Sequence, residues 1–83
     1  MTATATIDLP RIDQLRDLAR QAEGMDGPEL LDAALQAATL TQADLARLSG
    51  LTQNTITAFR KGKRPSAAQR SAILWGIARA YGL

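Results

Sequence analysis

Thr41-Gln42-Ala43-Asp44-Leu45-Ala46-Arg47-Leu48-Ser49-Gly50-Leu51-Thr52-Gln53-Asn54-Thr55-Ile56-Thr57-Ala58-Phe59-Arg60-Lys61 is the stretch that decides the fold. It contains two helix starts. Thr41 and Thr52 are hydroxyl residues of the kind that cap a helix, and Asp44 stands three residues after Thr41 in the reciprocal position. Between the two starts, Ser49-Gly50-Leu51 breaks the apolar pattern. The first helix, residues 42–48, turns Leu45, Ala46 and Leu48 inward. The second, residues 53–61, has only Ile56 and Phe59 to bury, and Gly62 ends it. Its other face, made of Gln53, Asn54, Thr57 and Ala58, looks outward. A helix this short and polar is marginal alone, so something besides core-building accounts for two amides at its exposed start.

Working outward, three more helices emerge. Residues 10–23 form one, with Pro10 at its start, where a missing N–H is harmless. Ile12, Leu15, Leu18, Ala19 and Ala22 fall within about 120° of a helical wheel, and Gly24 stops the helix. Residues 27–38 form the next, capped by Asp26 with Glu29 in capping-box position and an apolar face of Leu30, Leu31, Ala34, Leu35 and Ala38. The last, residues 67–81, follows Pro65, with Ser66 as cap and Gln69 completing a box. Ile73, Leu74, Ile77, Ala80 and Tyr81 share one stripe there, while Trp75 lies nearly opposite Ile73 and Ile77. The small, Thr/Ala-rich start reads as a flexible terminus over residues 1–9. The fold class is therefore all-α: one domain over residues 10–83, a small five-helix bundle with an extra N-terminal amphipathic helix.

The bulk numbers agree. Eighty-three residues make one small domain that buries roughly 60–65% of its unfolded surface. Apolar residues reach 46%, yet Phe59, Trp75 and Tyr81 are the only aromatics, so the core is built from Leu, Ile and Ala, a palette that suits helices. With no Cys and no His, disulfides, Cys/His zinc sites, thiol nucleophiles and a Ser-His-Asp triad are excluded. No carboxylate pair has recognisable catalytic spacing, and neither an enzyme nor a cofactor is expected. No stretch approaches a membrane span or a signal peptide, and a cytoplasmic protein is expected. Net charge is only +2, but it is sorted. Residues 1–39 hold three arginines against seven acids, a net of −4, and residues 40–83 hold seven cations against Asp44 alone, a net of +6. A basic half on a small domain suits a polyanion.

Two short helices joined at a tight turn containing Gly50 make a helix-turn-helix, a motif whose second helix enters the DNA major groove by its N-terminal residues. The side chains suit that use. Gln and Asn amides match the N6 and N7 edge of adenine with paired hydrogen bonds, so Gln53 and Asn54 are candidate base readers, with Thr57 one turn on. The helix start at Thr52 offers N–H groups to a phosphate. Arg60-Lys61-Gly62-Lys63-Arg64-Pro65 supplies four cations in five residues, a phosphate clamp that sets affinity and register.

The run from Leu40 through Ala46, then Gly50-Leu51-Thr52-Gln53-Asn54-Thr55-Ile56, Gly62 and Pro65, resembles the phage-repressor and Cro-type (lambda repressor-like) helix-turn-helix family. Ile77-Ala78-Arg79-Ala80-Tyr81-Gly82-Leu83 resembles the end of that family's fourth helix, so the likeness covers residues 27–83. The resemblance implies that Gln42 bonds a phosphate and braces Gln53, and that Gln53, Asn54, Thr57 and Ala58 face base edges. It also implies that Ala46, Gly50, Leu51, Ile56 and Phe59 are structural. The chain departs from the family in several places. Arg60 stands where relatives often carry an acid, Ala58 is apolar where they often read a base, and residues 1–25 precede the family core. No fifth family helix, the region relatives often use to dimerise, follows Leu83.

The reading is a sequence-specific DNA-binding regulator of phage, plasmid or other prokaryotic type. It acts as a repressor that occupies a palindromic operator in double-stranded DNA as a homodimer. Trp75 is the candidate seed of the dimer interface, with Ala68 and Ala72 beside it; the alternative is that the helix over residues 10–23 covers Trp75 within one chain. The rival function is a protein-interaction module, such as an antitoxin-like adaptor. A second regulatory protein as partner suits the acidic half.

Overall fold

A computed structural model describes residues 9–82, with Leu9 described in its backbone alone. The flexible terminus expected over residues 1–9 thus lies outside the described residues, apart from Leu9, which opens the first helix. Five helices follow one another: α1 (Leu9–Ala22), α2 (Gly27–Ala38), α3 (Gln42–Ser49), α4 (Gln53–Arg60) and α5 (Ala67–Ala80), with no strand among the described residues. Each boundary falls within one residue of its sequence-based expectation.

Local chemistry explains those boundaries. Thr41 Oγ1 accepts from the Asp44 N–H at 3.1 Å, and the Asp44 carboxylate accepts from the Thr41 N–H at 3.4 Å. Ser66 and Gln69 make the same reciprocal box at 3.1 and 2.9 Å. At α2 the exchange runs one way, from the Glu29 N–H to Asp26 Oδ1 at 2.9 Å. Each such cap satisfies backbone donors that have no partner within the helix and contributes about 1 kcal/mol. Between α3 and α4, Gly50 takes the left-handed conformation with φ 77°, where a Cβ would be strained. The buried Ser49 hydroxyl reinforces this turn, donating to the Ala46 carbonyl and accepting from the Leu51 N–H.

The core is Leu30, Leu31, Ala34, Leu45, Ile56, Phe59, Ile73 and Ile77, extended by Leu18 and Ala22 from α1. Helix α5 runs through the centre and touches α1, α2 and α3. The stripe expected for α5 is corrected at its far end. Ala80 is exposed, whereas Gly76 and Ala78 are buried. A wheel assumes one buried face, but α5 is covered on several sides. At Gly76 the α3 backbone comes so close that a Cβ would lie 3.2 Å from Ser49 N.

Candidate nucleic-acid interface

Helix α4 is held by its inner face and open on the other. Ile56 and Phe59 are fully buried, while Gln53, Asn54 and Thr57 are exposed and Ala58 is half-buried at the margin. Thr52 Oγ1 accepts from the Thr55 N–H at 3.1 Å and shares a 2.9 Å hydrogen bond with the Thr55 hydroxyl. The Thr52 side chain thus serves as the cap, and what the helix start offers outward is its first backbone N–H groups. On a wheel, Gln53, Asn54, Thr57 and Ala58 span about 140°, the width of one face.

The basic turn after α4 has a defined shape. The Lys63 N–H donates to the Ala58 carbonyl and the Gly62 N–H to the Phe59 carbonyl, both at 3.0 Å, with Gly62 at φ 112°. This is a Schellman ending: a left-handed glycine and crossed bonds satisfy the last carbonyls of the helix. Pro65 is buried just beyond. Gly27, at the start of α2, backs onto the same turn so closely that an added Cβ would lie 2.2 Å from the Lys63 carbonyl oxygen and 2.5 Å from that of Phe59. The turn is therefore wedged between its own helix and α2, and the backbone that carries its cations is fixed relative to α4.

The cations are not equivalent. Lys61 and Lys63 are exposed, and their ammonium groups make no hydrogen bond or ion pair among the described residues. Arg64 reaches the Glu23 carbonyl at 3.5 Å, where Arg70 also donates at 3.2 Å. Arg79 donates to the Leu48 carbonyl, and Arg47 pairs with Asp44 at 3.3 Å. Arg60 turns back to Asp32 on α2, Nη1 to Oδ1 at 2.5 Å. With its amide oxygen toward that guanidinium, Gln42 accepts from Arg60 Nε at 3.2 Å and Nη2 at 3.3 Å. Gln42 thus joins the end of α4, and no bond to Gln53 is made among the described residues. Asp32 belongs to this cluster although its position in the sequence gave no sign of it, being 28 residues from Arg60.

The one carboxylate on the basic side of the chain is tuned. Hydrogen bonds from Thr41, then from Arg47, hold the Asp44 carboxyl below its usual range. Among the described residues, no three His, Cys, Asp or Glu side chains come together to hold a metal, and no helix is long and apolar enough to cross a membrane.

Trp75 stands 63% exposed. Helix α1 lies beside it without covering it, leaving an apolar groove of about 360 Å³ lined by Ile12, Leu15, Ala19, Leu74, Trp75 and Ala78. Ala68 and Ala72 border its other side.

A helix-turn-helix family profile matches residues 31–83, which takes in α3, the Gly50 turn, α4, the basic turn and α5. No curated protein and no solved structure matches the chain. The matched segment is more than half of the sequence and centres on the two capped helices and their outward amides. The chain belongs to the helix-turn-helix family, whose members are DNA-binding transcription regulators.

Proposed function

We propose that this protein is a sequence-specific repressor of the phage-repressor and Cro type that occupies a palindromic operator as a homodimer. The observation that carries the reading is the pairing on one rigid unit of two exposed amides, Gln53 and Asn54, with a locked basic turn at the other end of the same helix. Amides in a major groove choose sequence, and cations on the flanking phosphates supply affinity. Gln53, Asn54, Thr57 and the methyl of Ala58 read bases in this scheme. Gln42, the helix start at Thr52, Arg60, Lys61, Lys63 and Arg64 serve the phosphates. Lys61 and Lys63 are the readiest of these, since neither ammonium group is engaged elsewhere among the described residues.

One α4 contacts only a few base pairs, so a two-fold pair with recognition helices about 34–36 Å apart supplies the remaining specificity. Trp75 and the groove beside it form an apolar patch of the kind a closed pair requires. A second reading, a protein-interaction module of the antitoxin-like adaptor kind, draws on the same patch. Selection of bound duplexes from a random pool, followed by titration of Gln53→Ala and Asn54→Ala, tests the main reading. Each lost paired contact should weaken the selected site by about 1–3 kcal/mol while leaving random DNA nearly unaffected. Equal weakening on both, or retention of DNA that ignores salt, refutes it.

A further inference from the structure

Arg60 is a basic residue beside the proposed DNA surface whose charge is already answered inside the protein. Its Nη1 faces Asp32 Oδ1, and its Nε and Nη2 face the end of the Gln42 side chain, whose oxygen accepts from both when the amide is turned toward them. The guanidinium is thus held by α2 on one side and by the first residue of α3 on the other. The site is open, with side-chain exposure of 37% for Arg60 and 56% for Asp32. A carboxylate and a phosphate offer a guanidinium the same planar pair of acceptor oxygens. Whatever phosphate approaches the end of α4 meets an arginine on which Asp32 already sits, and displacing Asp32 leaves an uncompensated negative charge near the DNA backbone.

We infer that Asp32 is an internal competitor of the DNA phosphate. It acts through Arg60, holding that side chain and Gln42 on the protein until a phosphate takes its place, and so sets the affinity for DNA below what the cations alone would give. The inference rests on the DNA-binding reading above. Asp32 is a positioning residue here and touches no base. Its effect is independent of sequence, because the contact at stake is to the backbone.

An exposed pair of this kind corresponds to about a two- to fivefold change in an equilibrium constant. The test is a double-mutant cycle of wild type, Asp32→Asn, Arg60→Gln and the double variant, titrated against a random-sequence duplex at fixed salt. The same four proteins are melted without DNA. Asp32→Asn should tighten duplex binding about two- to fivefold, and Asp32→Glu should keep wild-type affinity. In the Arg60→Gln background, Asp32→Asn should give a distinctly smaller gain, the residue of net charge alone. The DNA-free melts should show coupling between the two positions. No gain from Asp32→Asn, or an equal gain in both backgrounds, overturns the inference while duplex binding by the wild type stands, since an acid that acts only through net charge does not need Arg60. Failure of the wild type to bind the duplex even at low salt overturns the DNA reading as well; the melts then report the pair as a purely structural one.

Discussion

Gly27→Ala places a methyl group where the protein has no room for one. The ideal Cβ lies 2.2 Å from the Lys63 carbonyl oxygen, 2.5 Å from the Phe59 carbonyl oxygen and 2.9 Å from Phe59 Cα. Real Cβ atoms essentially never approach a heavy atom within 3.0 Å, so the first contact alone has to open by 0.8 Å. All three neighbours are backbone, and they belong to the end of α4 and the basic turn, so no side chain can swing aside. Helix propensity and the lost freedom of the unfolded chain, two expressions of one entropic effect, favour alanine by up to about 1 kcal/mol in all. Overpacking opposes them at about 1–3 kcal/mol, and three backbone contacts place this site at or above the top of that range. The net expectation is a loss of about 2 kcal/mol, out of about 4–12 kcal/mol for a chain of this length. In a domain this small that lowers the melting temperature by roughly 8–16 °C. Far-ultraviolet circular dichroism melts measure it. Gly24→Ala is the control, because its Cβ would meet only the Gln21 carbonyl oxygen at an ordinary 3.8 Å and should leave the melt unchanged or slightly raised. Affinity for random duplex should fall in Gly27→Ala, since the turn that carries Lys63 has to move. If Gly27→Ala melts at or above wild type, the wedge of α2 against the turn is not the constraint described above.

Neutralising the turn tests the proposed phosphate contacts. Lys61→Ala and Lys63→Ala should each flatten the log–log salt dependence of duplex binding by about 0.9, and an unchanged slope shows that the turn faces away from DNA. The capping box of α3 gives a pH dependence. Because the folded Asp44 carboxyl titrates below its usual range, its contribution is complete above the unfolded value, near pH 4, and is lost as pH falls through the folded value. Asp44→Asn should therefore lower the melting temperature at neutral pH and make no difference in strong acid; a constant gap across that range argues against the box. Trp75→Ala should convert dimer to monomer in sedimentation with little change in the melt, as its 63% exposure implies. A preserved dimer places the interface elsewhere.

What the sequence made legible was local. Caps at Thr41, Thr52 and Ser66, glycines at 50 and 62, and the inward pair Ile56 and Phe59 depend on neighbours a few residues away, and the structure has all of them as expected. Trp75 off its stripe was legible for the same reason. Features set by packing between helices were not. Gly27 read as an ordinary helix start because nothing near it in sequence reports that Lys63 lies against it. Ala80 and Ala78 exchanged roles because α5 has more than one buried side. The basic half counted seven cations alike, yet Arg60, Arg70 and Arg79 each turn to a partner 28, 47 or 31 residues away. Net charge by segment overstates the charge that is available to a partner.

The outward face of α4 has an evolutionary consequence. Gln53, Asn54 and Thr57 are exposed and contribute nothing to the core, and exchanges at such positions usually stay within about 0.5 kcal/mol of neutral for folding. The inner face and the crossed carbonyl bonds of the turn hold the helix and the turn backbone in place whatever those three residues are. Under the proposed function, lineages descended from this chain can therefore change what α4 recognises by one or two substitutions at a time, keeping a folded intermediate at every step, while the proposed backbone contacts of Lys61 and Lys63 are inherited unaltered.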